Sequence, residues 1–177
     1  MDTVDAYPRT SSLSDVGLLL LRFATGAAML QAGLIKALDF DKAVEYLASN
    51  GWRLPKFAAG MVTTAETAGG ILLLLGLLTP VAACAIVAAM LDAWAVNVSG
   101  GAFWSDPFNV PFLAGFSAMA LLFTGAGAYS MDARLFGRAR WPGFVAVLLF
   151  LVAIAAGVAT WVLLNGSNPI HLGKPGG

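Results

Sequence analysis

Four ionisable side chains and one amide sit inside apolar runs, where their presence needs a reason. Arg22, Gln31 and Lys36 interrupt GLLLLRFATGAAMLQAGLIK, Glu66 sits in TTAET of a second run, and Asp92 lies in a third. Burying such a group in hydrocarbon costs about 2.5–3.5 kcal/mol on insertion scales. Each must therefore pair with another, line a polar cavity or snorkel to an interface, the last applying best to Lys36. Helical rise sets their depths: Arg22 lies roughly 9 Å below the start of its run, and Glu66 lies roughly 14 Å into the second, near the midplane. Asp92 falls past the midplane of the third run, level with Gln31. If the first two runs are antiparallel neighbours, Arg22 reaches toward Glu66, while Asp92 faces Gln31, Lys36 or Arg22. Two chemistries follow, and one arrangement can serve both. An Arg–Glu or Arg–Asp pair fixes helix register, or the same groups form a polar cavity for a ligand such as a quinone head group, or for protons, with Thr63 and Thr67 beside it.

Other chemistries are excluded by count. The chain holds one cysteine, Cys84, and one histidine, His171. It cannot form an intramolecular disulfide, a cysteine–histidine zinc site, a bis-histidine haem or an iron–sulfur cluster from its own residues. No flavin or nucleotide motif occurs, so no intrinsic cofactor and no metal site is expected; a bound quinone is compatible with the polar cavity. Cys84 reads as a small apolar filler and His171 as a solvated tail residue. Trp94, Phe103 and Trp104 read as interfacial aromatics or as a stacking surface for a ring. Net charge is zero with no basic run, so nucleic acid is not a partner.

The elements that must position these groups follow from composition. Hydrophobic residues make up 59% and charged residues 11% of the chain, too little polar surface to cover a water-soluble globule. About 20 apolar residues cross a hydrocarbon core, and block length predicts helices over about 16–36, 57–78, 81–98, 112–128 and 143–164. Backbone groups in hydrocarbon must pair internally, and no alternating barrel pattern appears, so the fold class is all-α: a polytopic membrane bundle. Ala24, Ala28 and Ala32 form a stripe that suits close helix approach. Ser14 or Asp15 is placed to cap the first helix. Segment 39–56 reads as a short amphipathic interfacial helix stopped at Asn50-Gly51, with Tyr46 and Trp52 as anchors. The expected division is a polar tail at 1–14, a membrane domain at 15–140, an added transmembrane helix at 141–165 and a polar tail at 166–177. The acidic N-terminus argues against a cleaved signal. Basic residues are nearly balanced between the two sides; the compact Arg134, Arg138 and Arg140 cluster favours a cytoplasmic N-terminus, with the ends on opposite sides of the membrane.

The ordered motifs LLLRFATGAAMLQAGLIKALDF, AETAGGILLLLGLLTPVAA, FWSDPFNVPF and GAGAYSMDARL carry a resemblance. Over about residues 17–135 the chain resembles the DoxX/DoxD family of small bacterial membrane proteins. The resemblance implies a four-helix core with the fifth helix added outside it. It implies that Arg22, Lys36, Glu66 and Asp132 are the characteristic polar residues, Asp132 in a structural loop. Many members carry a histidine near Gln31, and this chain departs from them there. It also implies a role in the bacterial inner membrane as a subunit of a redox, sulfur-metabolism or oxidative-stress assembly, similar to the small subunit of a thiosulfate:quinone oxidoreductase. A superoxide dismutase and a sulfurtransferase are the soluble partners it suggests, and a second copy of the chain is a further candidate. Neither motif nor resemblance assigns turnover to this chain alone. A small-solute transporter and a non-catalytic scaffold or assembly factor are the competing readings.

Overall fold

The structure, a computed structural model, describes residues 13–173. The expected tail at 1–14, apart from its last two residues, and the end of the tail at 166–177 fall outside the described residues. Within them the chain forms seven α-helices: α1 (Leu13–Leu38), α2 (Phe40–Ser49), α3 (Pro55–Leu75), α4 (Thr79–Ser99), α5 (Val110–Thr124), α6 (Met131–Leu135) and α7 (Gly143–Leu164). Four of them, α1, α3, α4 and α7, are long and apolar enough to cross a membrane. The protein is thus a polytopic α-helical membrane protein, as its block lengths require.

Local sequence sets the breaks. Pro55 opens α3 in its first turn, where its missing N–H is not needed. Gly76 closes it in the left-handed conformation at φ 63°, the usual stop for a helix C-terminus. Pro80 lies in the first turn of α4. Asn50 and Gly51 end α2, with Gly51 at φ 80°.

The α1–α3 pair is packed backbone to backbone. Gly33 faces Thr67, Gly26 faces Gly70, and Arg22 faces Gly76, so the helices are antiparallel. The contact face of α1 is Arg22, Thr25, Gly26, Met29 and Gly33, all buried. The Ala24–Ala28–Ala32 stripe is not that face: Ala24 and Ala28 are exposed. Glycine permits closer approach than alanine, and small residues are how helices in lipid gain contact. A methyl group on Gly70 would stand 2.5 Å from Leu30 N and 2.8 Å from Gly26 O, both backbone atoms that cannot step aside. Gly70→Ala is therefore expected to separate the helices and cost about 1–3 kcal/mol in detergent unfolding. Gly60→Ala, where nothing lies within reach, serves as the control. Equal stability of the two variants would contradict the close packing.

The main core is built by Met29 of α1, Leu73 of α3, Ile86, Val87 and Met90 of α4, Leu121 of α5 and Ala153 of α7. Cys84 packs against this core as a half-buried apolar group. α7 has the bounds read from sequence; its Gly157 would meet Leu91 and Ala88 O if it carried a methyl group, so it lies directly on α4.

Helix α5 is shorter than the predicted 112–128. Its 15 residues reach about 22 Å, less than the hydrocarbon thickness. It starts beside the end of α4, where Trp94 Nε1 donates to Pro107 O at 3.0 Å. The chain after it returns beside the start of α4, where Asp132 accepts from Leu78 N and Thr79 N. α5 and the irregular segment 125–130 together run the length of α4. Gly125 and Gly127 adopt positive φ there, at 82° and 78°, which glycine tolerates without strain.

Candidate functional site

The embedded polar residues separate into two groups at opposite ends of the bundle. The first is a clamp around segment 125–132. Arg22, 2% exposed, donates from Nη1 to Ala126 O at 2.7 Å and from Nη2 to Tyr129 O at 2.6 Å. These carbonyls belong to backbone that has left helical pairing, and the buried one, of Ala126, needs a donor. Ser130 Oγ donates to Gly127 O at 2.7 Å and accepts from Ala133 N, capping α6. Asp132 is fully buried; its Oδ1 accepts from Leu78 N at 2.7 Å, and its Oδ2 from Thr79 N at 3.0 Å and Trp141 Nε1 at 3.1 Å. Asp15 joins from α1, accepting from Ala128 N at 2.9 Å.

This placement corrects the expected Arg22–Glu66 pair. α1 has 26 residues and α3 has 21, and the first turns of α1 overhang the α3–α4 turn. Arg22 therefore stands level with Gly76, and Glu66 lies nearly three helical turns away along α3. Glu66 pairs instead with Lys36: Nζ to Oε2 is 2.7 Å, with Glu66 3% exposed and Lys36 about a third exposed. Lys36 reaches inward rather than snorkelling out.

The Lys36–Glu66 pair stands on the wall of the second group, a cavity of about 840 Å³. It lies among the C-terminal half of α1, the N-terminal half of α3, the C-terminal halves of α4 and α7 and the start of α5, with α2 lying across it. Ala, Val, Met, Ile and Leu make most of the lining. The polar groups are few: Lys36, Glu66, Asp92, Asn97 and Thr160, with Asp39, Lys42 and Tyr46 from the α2 side. An apolar volume of this size with a few placed polar groups is the usual form of a small-molecule site.

Two buried polar atoms on this wall have no partner within the protein: Asp92 Oδ1 and Trp52 Nε1. A buried polar atom left unpaired costs about 1–3 kcal/mol, so each calls for a ligand atom or water. Trp52 is 7% exposed and packs edge-on against Trp161 of α7, centroids 5.8 Å apart, beside Ala95 and Val96. Val96 is one helical turn beyond Asp92, which puts the indole near that carboxylate's level of α4. At the α2 side Lys42 and Asp39 form an exposed hydrogen-bonded ion pair. The bond from Lys42 holds the Asp39 carboxyl below its ordinary value, and the same bond holds Lys42 above its own.

Of the residues read from sequence as site candidates, Lys36, Glu66 and Asp92 come together at the cavity, and Arg22 and Asp132 belong to the clamp. Gln31 belongs to neither; it is exposed on the outer face of α1 with Ala24 and Ala28, turned away from the buried Met29–Gly33 face. Thr67 packs against Gly33 and does not line the cavity. Trp94 and Trp104 both stack on Phe103, so these aromatics bind one another. Trp52 is not an interfacial anchor; the turn at Asn50-Gly51 sends it inward. α7, which the resemblance puts outside the four-helix core, supplies Ala156 and Thr160 to the wall. Among the described residues no cluster of His, Cys, Asp or Glu could hold a metal ion.

Fold and site together define a multi-pass helical membrane protein with an apolar, acid-bearing cavity under an amphipathic helix. The DoxX family model matches residues 17–99 of the chain. The match covers Arg22, Lys36, Glu66 and Asp92, and stops before α5. No curated protein and no solved structure matches the chain.

Proposed function

We propose that this protein is a bacterial inner-membrane subunit of a redox assembly that holds a quinone ring in the cavity beneath α2. The observation that carries the reading is an apolar space of about 840 Å³ whose wall presents a donor without a partner, Trp52 Nε1, and an acceptor without a partner, Asp92 Oδ1. A quinone has an apolar body and ring carbonyls that accept hydrogen bonds; its quinol offers hydroxyl donors. Reducing the ring takes two electrons and two protons. Glu66 and Asp92 are the carboxyl groups on the wall suited to relay protons, and Lys36 holds Glu66 in place. The electrons come from a soluble partner enzyme, in keeping with the sulfur and oxidative-stress systems that the resemblance implies. In this reading the N-terminal end of α1 faces the cytoplasm, since Arg134, Arg138 and Arg140 follow the loop that packs on that end.

The test is binding of a short-chain ubiquinone or menaquinone analogue to the purified full chain by calorimetry. Saturable binding is expected, weakened about fivefold in Trp52→Phe, the worth of one hydrogen bond. Trp104→Phe, on an exposed residue away from the cavity, should bind as wild type. Absence of saturable binding, or equal loss in both variants, would sink the reading. Solute flux into liposomes would instead favour a transporter, and partner capture indifferent to quinone would favour a scaffold.

A further inference from the structure

The loop that joins α5 to α7 carries a surface that the cavity does not explain. Its acid is turned in and its bases are turned out. Both oxygens of Asp132 are occupied by Leu78 N, Thr79 N and Trp141 Nε1, while Arg134, Arg138 and Arg140 are all exposed. Among the described residues the ion pairs are Lys36–Glu66 and Lys42–Asp39, so none of these three arginines has a carboxylate partner. Arg138 lies over the Trp141 ring at 5.5 Å, and Arg140 gives only Nε, to Thr124 O at 3.1 Å. The other end of the bundle differs. There Lys36 and Lys42 are neutralised by their partners, and α2, the first turn of α3 and the loops carry Asp41, Glu45 and Asp106 as well as Arg53 and Lys56.

We propose that this loop is a binding surface for anionic phospholipid headgroups of the leaflet in which it sits. Guanidinium groups are planar forks that match the oxygens of a phosphodiester and keep their charge at any accessible pH. The surface is continuous with lipid-facing side chains: Leu135 and Phe136 are exposed on the loop, and Phe144 and Leu148 are exposed on the first turns of α7 below it. That continuity selects a lipid, with charge at the headgroup level and acyl chain along α7, over an acidic soluble protein, which would leave those apolar groups without a partner. Trp141 holds Arg138 in place through its ring, and its own N–H is fixed by Asp132. The proposal does not rest on the reading of the cavity.

The experiment uses the full chain in nanodiscs of mixed phosphatidylglycerol and phosphatidylcholine, followed by native mass spectrometry of retained lipid. A Lys or Arg near an anionic surface contributes roughly fivefold in affinity. Wild type is expected to retain phosphatidylglycerol over phosphatidylcholine by roughly tenfold or more. The Arg134→Gln/Arg138→Gln pair, which gives up no hydrogen bond within the protein, should lose most of that preference with melting unchanged. Conversion of the same pair to Lys should keep much of it. Equal retention of both lipids by wild type overturns the proposal, as does undiminished preference in the Gln pair. Displacement of the lipid by millimolar inorganic phosphate would show a free-anion site instead. Arginine-dependent capture of an acidic protein in pure phosphatidylcholine discs, with no lipid preference, would assign the surface to that partner. Should the Gln pair melt early, Arg134→Gln alone is read by the same criteria.

Discussion

Asp132→Ala is expected to destabilise the protein by about 4 kcal/mol, because three donors, that of Thr79 fully buried, lose a buried charged acceptor in one step. Helix α4 begins at Leu78-Thr79 with no side-chain cap of its own, so its first N–H groups depend on Asp132, which comes from far along the chain. A carboxylate there also meets the positive end of the helix dipole. Leu78 sits at φ 47°, a left-handed conformation that costs a residue with a Cβ roughly 1–2 kcal/mol. The bond from its N–H to Asp132 helps hold it there. Asp132→Asn retains one acceptor oxygen and should lose about half as much. Trp141→Phe gives up a single bond and should cost about 1 kcal/mol. Unfolding in mixed detergent, with protease sensitivity at the Gly76–Pro80 turn as a local readout, checks the series. If Asp132→Ala unfolds within about 1 kcal/mol of wild type, the carboxylate is not the cap of α4.

The clamp explains a motif that sequence showed only as a string. In GAGAYSMD the glycines supply positive φ, the serine caps α6, and the aspartate caps α4. Arg22, in the first motif, binds the carbonyls of this same segment. Helix existence was legible because block length against bilayer thickness leaves little choice, and α7 was read to the residue. The polar residues were legible as anomalies, since hydrocarbon tolerates few of them.

Which of them meet was not legible. Depth counting treated the helix ends as flush, whereas α1 overhangs the α3–α4 turn; that overhang moved Arg22 away from Glu66 and brought Lys36 to it. The face of α1 was misjudged for a similar reason. Alanines at four-residue spacing look like a contact stripe, yet Gly26 and Gly33 allow a closer approach on the opposite face, and the closer face won. Gln31 went outward with the alanines. The early end of α5 was hidden because GAGAY is apolar enough to extend a span in hydropathy, while its glycines adopt conformations no helix uses. Trp52 resembled an interfacial anchor from its place after a polar helix. Only the tertiary pairing with Trp161 shows that it faces in.

Lys36→Ala is expected to cost about 3 kcal/mol, more than Glu66→Gln at about 1–2 kcal/mol, and the asymmetry is the informative part. Glu66 is 3% exposed and has no other partner among the hydrogen bonds of its helix, so loss of Lys36 leaves a buried, unpaired carboxylate. Lys36 is about a third exposed and near the end of α1, so without Glu66 its long side chain can turn to the interface. The double change Lys36→Ala/Glu66→Gln should be milder than the sum of the single losses, because neither orphan remains. By contrast, Arg22→Gln and Glu66→Gln should add within about 0.5 kcal/mol, as sites that share no partner do. Unfolding of wild type, the three single variants and the two double variants in one detergent supplies both cycles. Coupling between Arg22 and Glu66 with strict additivity of Lys36 and Glu66 would restore the pairing first read from the sequence and refute the one seen here. Quinone binding by the same proteins separates stability from the site: Glu66→Gln, which stays folded, should still bind the ring but lose pH dependence of any proton uptake coupled to its reduction. Unchanged proton uptake would leave Asp92 as the acid on the wall that serves the ligand.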